Sequence, residues 1–324
     1  MKKVSFSKLK KIYENSLKIR ILEETISREY KKNKMRCPTH LSIGQEIVAA
    51  SVGILSKKED YFISYHRSHA HYLSKGGDII KFIHELHGLT TGCSKGIGGS
   101  MHLIDLKKNF YGSTAIVSSS IPIGAGLALS KQLSKEAGVV FIFIGDASIE
   151  EGVFFEALNF VILKNLPVIF VCENNSFSVY THLSKRQPRG RKIYKLVESF
   201  GIKSFFANQS ETIKMINTIN KVISFSKFSK KPAFIEIKNF RYLEHCGPNY
   251  DDNLNYRNNR EISFWKKNDA VFILEKYLVK LDKTFNHKKF KDSFIKFVNR
   301  IFRKIYMNNK PNKINLKNFV YKKT

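Results

Sequence analysis

From about residue 35 to residue 240 the chain alternates short, almost purely apolar β-type runs with helical segments. The clearest runs are Val139 to Ile144, Pro167 to Cys172 and Ala233 to Ile237, with Tyr61 to Ser64 as a weaker fourth. Continuous apolar runs of this length, separated by helices, predict strands buried on both faces of a parallel sheet. The expected class is therefore α/β: a doubly wound, mostly parallel sheet flanked by helices. Polar residues gather just past the carboxyl ends of these runs: Gly145-Asp146-Ala147-Ser148, Glu173-Asn174-Asn175-Ser176-Phe177, Arg241 to Pro248, and Tyr65-His66-Arg67-Ser68-His69. Ligands of open parallel sheets bind outside those ends, so four such clusters point to one shared site.

The flanks are helical. Leu9, Ile12, Tyr13, Leu17 and Ile21 recur at three- and four-residue steps, which predicts an amphipathic helix over 6–34. Beyond Trp265 the pattern is again helical, over Ala270 to Leu281 and Phe294 to Tyr306. We divide the chain into an α/β domain with its N-terminal helix, residues 1–265, and a basic helical extension, 266–324.

The net charge of +29 raises the question of nucleic acid. Yet 44 of the 56 basic residues are Lys, whereas a phosphate-reading surface favours Arg forks. The extension alone holds 17 basic and 4 acidic residues. No interleaved aromatic and basic motif accompanies them, so the excess reads as a solvated surface and a nucleic-acid-binding protein is the remote alternative. No apolar run approaches the roughly 20 residues of a membrane span, and the start has no apolar signal core, so the expected address is the cytoplasm. The four cysteines form no CxxC pair.

The first two polar clusters carry the chemistry. The 26 residues from Ser148 to Glu173 hold a loop, a helix over Val153 to Lys164 and the return strand, which is one β-α-β crossover. That spacing brings Asp146 beside Asn175. A carboxylate and an amide oxygen make a hard, oxygen-rich corner suited to magnesium and diphosphate oxygens. Gly145 gives the sharp exit from the strand, and the next helix offers N–H groups to phosphate.

Gly-Asp-Gly followed after about 26 residues by Asn-Asn is the thiamine diphosphate fingerprint, and Gly145-Asp146-Ala147 with Asn174-Asn175 resembles it with Ala in the third place. From roughly residue 15 to 270 the chain resembles the alpha subunit of the thiamine-dependent dehydrogenase component of 2-oxo acid dehydrogenase complexes (pyruvate, branched-chain and acetoin types). The likeness includes His40-Leu41-Ser42-Ile43-Gly44-Gln45-Glu46, Lys95 to His102, Phe110-Tyr111-Gly112, Ile121 to Gly126, Glu151-Gly152 and Leu166-Pro167-Val168.

The resemblance implies a set of site residues. Asp146, the Asn175 side chain and the backbone oxygen of Phe177 would hold Mg2+. Gly145, Ala147 and Ser148 would adjoin the cofactor, and Arg67 would grip its diphosphate. His66 stands where the family has Tyr. Ala115 and Val117 match backbone positions on the aminopyrimidine side, and His245 matches the histidine of the closing loop. His40, His69 and His245 are the candidates for proton handling or substrate carboxylate contact.

The resemblance further implies oxidative decarboxylation of a small 2-oxo acid, or cleavage of a ketone, with transfer to a lipoyl-bearing acyltransferase. The glutamate that activates the cofactor would come from a beta subunit in an α2β2 assembly. The closing loop departs from the pyruvate type at Leu243-Glu244-His245-Cys246 and Gly247 to Asp251, so a decarboxylase or carboligase without a lipoyl acceptor is the alternative. Three blander readings complete the picture. Lys95 to Ser100 has the form of a phosphate cradle but reads first as a turn. His66, His69 and His71 lack a further ligand at finger spacing for zinc. Ile123-Gly124-Ala125-Gly126 reads as a close-packing helix face.

Overall fold

The computed structural model describes residues 3–35 and 37–307. The last 17 residues of the basic extension, 308–324, lie outside the described residues.

Six strands form one sheet: β1 (Tyr61–Ser64), β2 (Phe110–Ser113), β3 (Val140–Gly145), β4 (Val168–Asn174), β7 (Lys203–Asn208) and β8 (Ala233–Lys238). Their order is β2-β1-β3-β4-β8-β7, and every pairing is parallel. A two-stranded ribbon, β5 (Phe177–Ser178) with β6 (Thr181–His182), stands beside it. The doubly wound class read from the sequence is the class observed.

Strand β3 explains why the apolar runs are unbroken. Val140, Ile142 and Ile144 enter one core while Phe141 and Phe143 enter the other, all fully buried. Each such side chain contributes about 1.5–3 kcal/mol relative to exposure, so a polar residue anywhere in the run would be costly.

The helices divide between the faces. On the larger core lie α1 (Phe6–Tyr30), α2 (Glu46–Leu55), α3 (His69–Ser74) and α4 (Ile79–Leu86). The smaller core is covered by α5 (Ser120–Leu133), α6 (Gly152–Leu163) and α8 (Ile193–Glu198), while α7 (Leu183–Arg186) is a short turn near the strand ends. Back on the larger core are α9 (Thr212–Ser229), α10 (Asn259–Lys267), α11 (Ala270–Leu281) and α12 (Lys288–Met307).

Helix α11 begins at Ala270 because the Asp269 carboxylate caps it, accepting from the N–H groups of Val271 (2.9 Å) and Phe272 (3.3 Å). The same carboxylate accepts from Arg20 of α1 (2.9 Å) and from the Tyr242 hydroxyl (2.9 Å). One buried cap thus ties the basic extension and the closing loop to the N-terminal helix. The expected glycine packing is observed at Gly124, where a Cβ would meet Ile142 at 2.6 Å, whereas Gly126 faces open space.

Besides the short β5–β6 ribbon, two strands of the sheet escaped the sequence reading. β2 is four residues long, and β7 is a sheet-edge strand whose Phe206 is exposed, so neither shows a continuous apolar run.

Candidate active site

The crossover β3–α6–β4 behaves as its spacing predicts: Gly145 pairs with Glu173 across the two strands, and the chain leaves both at the same level. α6 starts at Gly152, one residue before the expected Val153, and the loop ahead of it is a 3-10 turn over Asp146–Glu150.

A cavity of about 170 Å3 opens at these carboxyl ends. Gly145, Asp146, Ala147 and Ser148 line one wall, with Asn175 and Phe177 beside them. Ala115 and Val117 come from the loop before α5, which Ser118 ties down by donating to the Ser148 carbonyl (2.9 Å). His40, His66, Arg67 and His245 line the same cavity. A larger cleft of about 600 Å3 lies among Lys57, Lys131, Lys135 and Lys227, but it gathers none of the strand-end clusters.

His69 alone of the candidate residues does not line the cavity. It is fully buried at the start of α3, with Nδ1 3.0 Å from Glu23 Oε1 and Nε2 2.6 Å from Ser100 Oγ. Glu23 also accepts from the Ser42 N–H (2.7 Å), and Ser100 Oγ accepts from the His40 N–H (3.3 Å). His69 therefore positions the His40 segment from behind.

Asp146 is 2% exposed, and its carboxylate is paired with Arg186 of α7, which also pairs with Glu150. Burial pushes this carboxyl up against the downward pull of Arg186. Asn175 Oδ1 accepts from the Phe177 N–H (2.9 Å), which fixes the turn that brings the Phe177 backbone to the cavity. Asn174 is spent on structure: its Nδ2 donates to Glu236 (2.7 Å) and its Oδ1 accepts from the Ser176 N–H (2.9 Å). Val179, at the cavity edge, holds φ 53°, a left-handed conformation rare for a β-branched residue.

Arg67 is 3% exposed and makes no ion pair among the described residues. Its guanidinium donates to the carbonyls of Leu41 (2.6 Å) and His245 (3.0 Å). Burial, reinforced by the nearby Arg241, brings its pKa down to about 10, so it stays charged at neutral pH. Burial also drives His40 down to about 2 and His66 and His245 down to about 3, with Arg67 adding to each, so all three rings are neutral. The cavity thus brings together a cation without an ion pair, neutral imidazoles and hard oxygen donors.

The sequence reading placed Glu173 and Tyr65 in the strand-end clusters without giving them a role, and it missed Arg186. Tyr65 donates to the Glu173 carboxylate (2.8 Å) at the cavity floor, and His71 Nε2 lies 3.0 Å from the same carboxylate without hydrogen-bond alignment. The Glu173 signal was present, because a charged residue inside an apolar run needs a partner; Arg186 carried none. The cradle-like loop is filled from within. Glu85 accepts from the N–H groups of Ser94 (2.7 Å), Gly96 (2.9 Å), Gly98 (2.8 Å) and Gly99 (3.0 Å), so these donors already hold an anion, and it is the protein's own.

Comparison with known proteins agrees with this geometry. The family model described as Dehydrogenase E1 component matches residues 14–312. The chain is 34% identical over 269 residues to a pyruvate dehydrogenase E1 component subunit alpha of Rickettsia bellii, covering 83% of this chain and 81% of that one. It is 34% identical over 281 residues to the corresponding subunit of Porphyra purpurea, covering 84% and 80%. Among solved structures, transketolase from Campylobacter jejuni superposes with a TM-score of 0.57 at 15% identity over 87% of this chain and 50% of that one, a likeness of fold alone. No helix among the described residues is long and apolar enough to cross a membrane. The chain belongs to the dehydrogenase E1 component family, and within it to the alpha subunits of thiamine diphosphate-dependent 2-oxo acid dehydrogenases.

Proposed function

We propose that this chain is the cofactor-gripping subunit of a pyruvate-type dehydrogenase that works in the cytoplasm with thiamine diphosphate and Mg2+. One observation carries the reading. Arg67 is a buried cation without an ion pair among the described residues, and it lines the same cavity as Asp146, Asn175 and Phe177. An unpaired buried charge is expensive, and a diphosphate with its magnesium would satisfy both the cation and the oxygen donors.

Asp146, Asn175 Oδ1 and the Phe177 carbonyl would hold the metal, and Arg67 the diphosphate. For the metal to enter, Arg186 must release Asp146. The bound cofactor supplies the carbon nucleophile and electron sink that decarboxylation of a 2-oxo acid requires. His40 and His245, neutral and facing the cavity, accept or donate protons there, and Val117 offers an apolar wall. His66 lies beside both rings, and His69 holds the His40 segment.

The activating glutamate would come from a beta subunit in an α2β2 assembly. Exposed apolar side chains around the cavity mouth and on α5 support a covering chain: Ile116 is 71% exposed and Ile123 54%. A lipoyl-bearing acyltransferase would receive the acyl group. The test is an acceptor-dye assay of the chain co-purified with its beta subunit, using pyruvate, branched-chain 2-oxo acids and acetoin. Turnover of pyruvate above the others supports the proposal. Turnover of none of them, by an assembly that holds the cofactor, overturns it.

A further inference from the structure

We propose that His40, His66 and His245 together form a binding site for a borderline-soft divalent cation of the zinc class, separate from the hard oxygen corner at Asp146. The ring centroids of the three residues are 4.9, 5.1 and 5.2 Å apart, and one nitrogen from each lies within 4.8 Å of the others. Among the described residues, none of the three rings makes a hydrogen bond, and His40 Nδ1 is buried with no partner at all. A buried imidazole nitrogen with nothing to bind is an unsatisfied polar atom, and it belongs to a ring that has two further imidazoles beside it.

The trio is built rather than accidental. Arg67, next to His66 in the chain, donates to the Leu41 carbonyl (2.6 Å), next to His40, and to the carbonyl of His245 itself (3.0 Å). The Gly247 N–H donates to the Thr39 carbonyl (2.8 Å), binding the same two segments a second time. Three separate stretches of chain are thus fixed so that their imidazoles converge. This set is not the sequence-adjacent His66, His69 and His71: the last two are committed to Glu23 and Ser100, and to Ser64.

Three imidazoles and one open position make a four-coordinate site that suits zinc or cobalt and leaves magnesium, which demands oxygen, to Asp146. The open position faces the cavity. Water or a carboxylate would complete the shell there, and the charge of Arg67 favours an anion in that place. An ion so held engages His40 and His245, the two rings that face the substrate space.

The test is Co2+ added to the full-length, chelator-stripped chain under excess Mg2+ and without thiamine diphosphate, followed by visible absorption. We expect one equivalent of Co2+ to give the intense d–d bands of a four-coordinate ion and to be displaced by Zn2+. His66→Phe and His40→Gln should each weaken binding by more than about 100-fold, because each removes a ligand, a larger change than loss of an outer-shell partner. Asp146→Ala and the exposed His182→Gln should bind Co2+ as the parent does. Thermal melts of each variant show that it is folded. Weak octahedral spectra in the parent, or equal affinity in the two ligand variants, would overturn the proposal. The readout needs no cofactor, so it stands or fails independently of the proposed reaction.

Discussion

Arg186 of α7 pairs with Asp146 at the end of β3, forty residues earlier in the chain. A guanidinium therefore rests on the carboxylate that the fingerprint assigns to magnesium. The pair keeps a buried carboxylate compensated when no dication is near, and the two cations compete for one partner. Arg186→Gln should lower the stability of the metal-free chain by about 1–3 kcal/mol. It should also enlarge the rise in melting temperature caused by Mg2+ with thiamine diphosphate. Differential scanning calorimetry with and without the two ligands checks both effects. An equal ligand-induced rise in variant and parent would show that Arg186 does not compete.

Glu85 holds the glycine-rich loop through four backbone N–H groups, two on each carboxylate oxygen. Hydrogen bonds to an ionised acceptor are the strong kind, and Gln offers a single acceptor oxygen in its place. We expect Glu85→Gln to cost about 2–4 kcal/mol in urea denaturation, through two orphaned N–H groups and the lost charge. A loss below about 0.5 kcal/mol, the ordinary size of a surface change, would contradict the account.

These two contacts mark where sequence reasoning ends. The strands Val139 to Ile144, Pro167 to Cys172 and Ala233 to Ile237 were legible because burial on both faces leaves a continuous apolar run, and the observed strands differ only at their ends. The site was legible because its residues lie just past those strands at one-crossover spacing, which a linear pattern can encode. Arg186 reaches Asp146 only through the path of the β5–β6 ribbon, and nothing in Lys185-Arg186-Gln187 announces it. The glycine-rich loop misled in form, because an anion cradle looks the same whether it holds a phosphate or Glu85. The convergence of His40, His66 and His245 joins segments far apart in sequence and becomes visible only through the carbonyl contacts of Arg67.

The buried histidines give the chain a defined response to acid. His40 falls from about 6.5 to about 2 on folding, mainly by burial and next by Arg67. Above pH 6.5 it is neutral in both states and contributes no pH dependence. Between about 6.5 and 2 the unfolded chain binds a proton that the folded chain refuses, so stability is lost as the pH falls. The slope from His40 is at most about 1.4 kcal/mol per pH unit. His66 and His245 act in the same direction over a narrower window, from about pH 6.5 down to about 3. Urea midpoints from pH 7 to pH 5 should fall in the parent and fall less steeply in His40→Gln. Parallel profiles would contradict the assignment.

The two glycines of α5 separate close packing from chain flexibility. A Cβ at Gly124 would stand 2.6 Å from Ile142 and 3.0 Å from Ile63, whereas at Gly126 it would meet nothing within 4 Å. Gly124→Ala should destabilise by about 1–3 kcal/mol through overpacking, even after the helix-propensity gain. Gly126→Ala should stabilise by about 0.5–1 kcal/mol. Thermal melts of the two variants side by side check the opposite signs, and equal shifts would mean that α5 does not sit against the sheet as described.

The central claim is that Asp146 and Asn175 hold a magnesium–thiamine diphosphate unit at the ends of β3 and β4. Calorimetric titration of thiamine diphosphate into the chain co-purified with its beta subunit tests it most directly, in Mg2+ and then in EDTA. Saturable binding that needs Mg2+ and is abolished in both Asp146→Ala and Asn175→Ala is the predicted result. Undiminished binding in either variant, or no binding by the intact assembly in Mg2+, would contradict it.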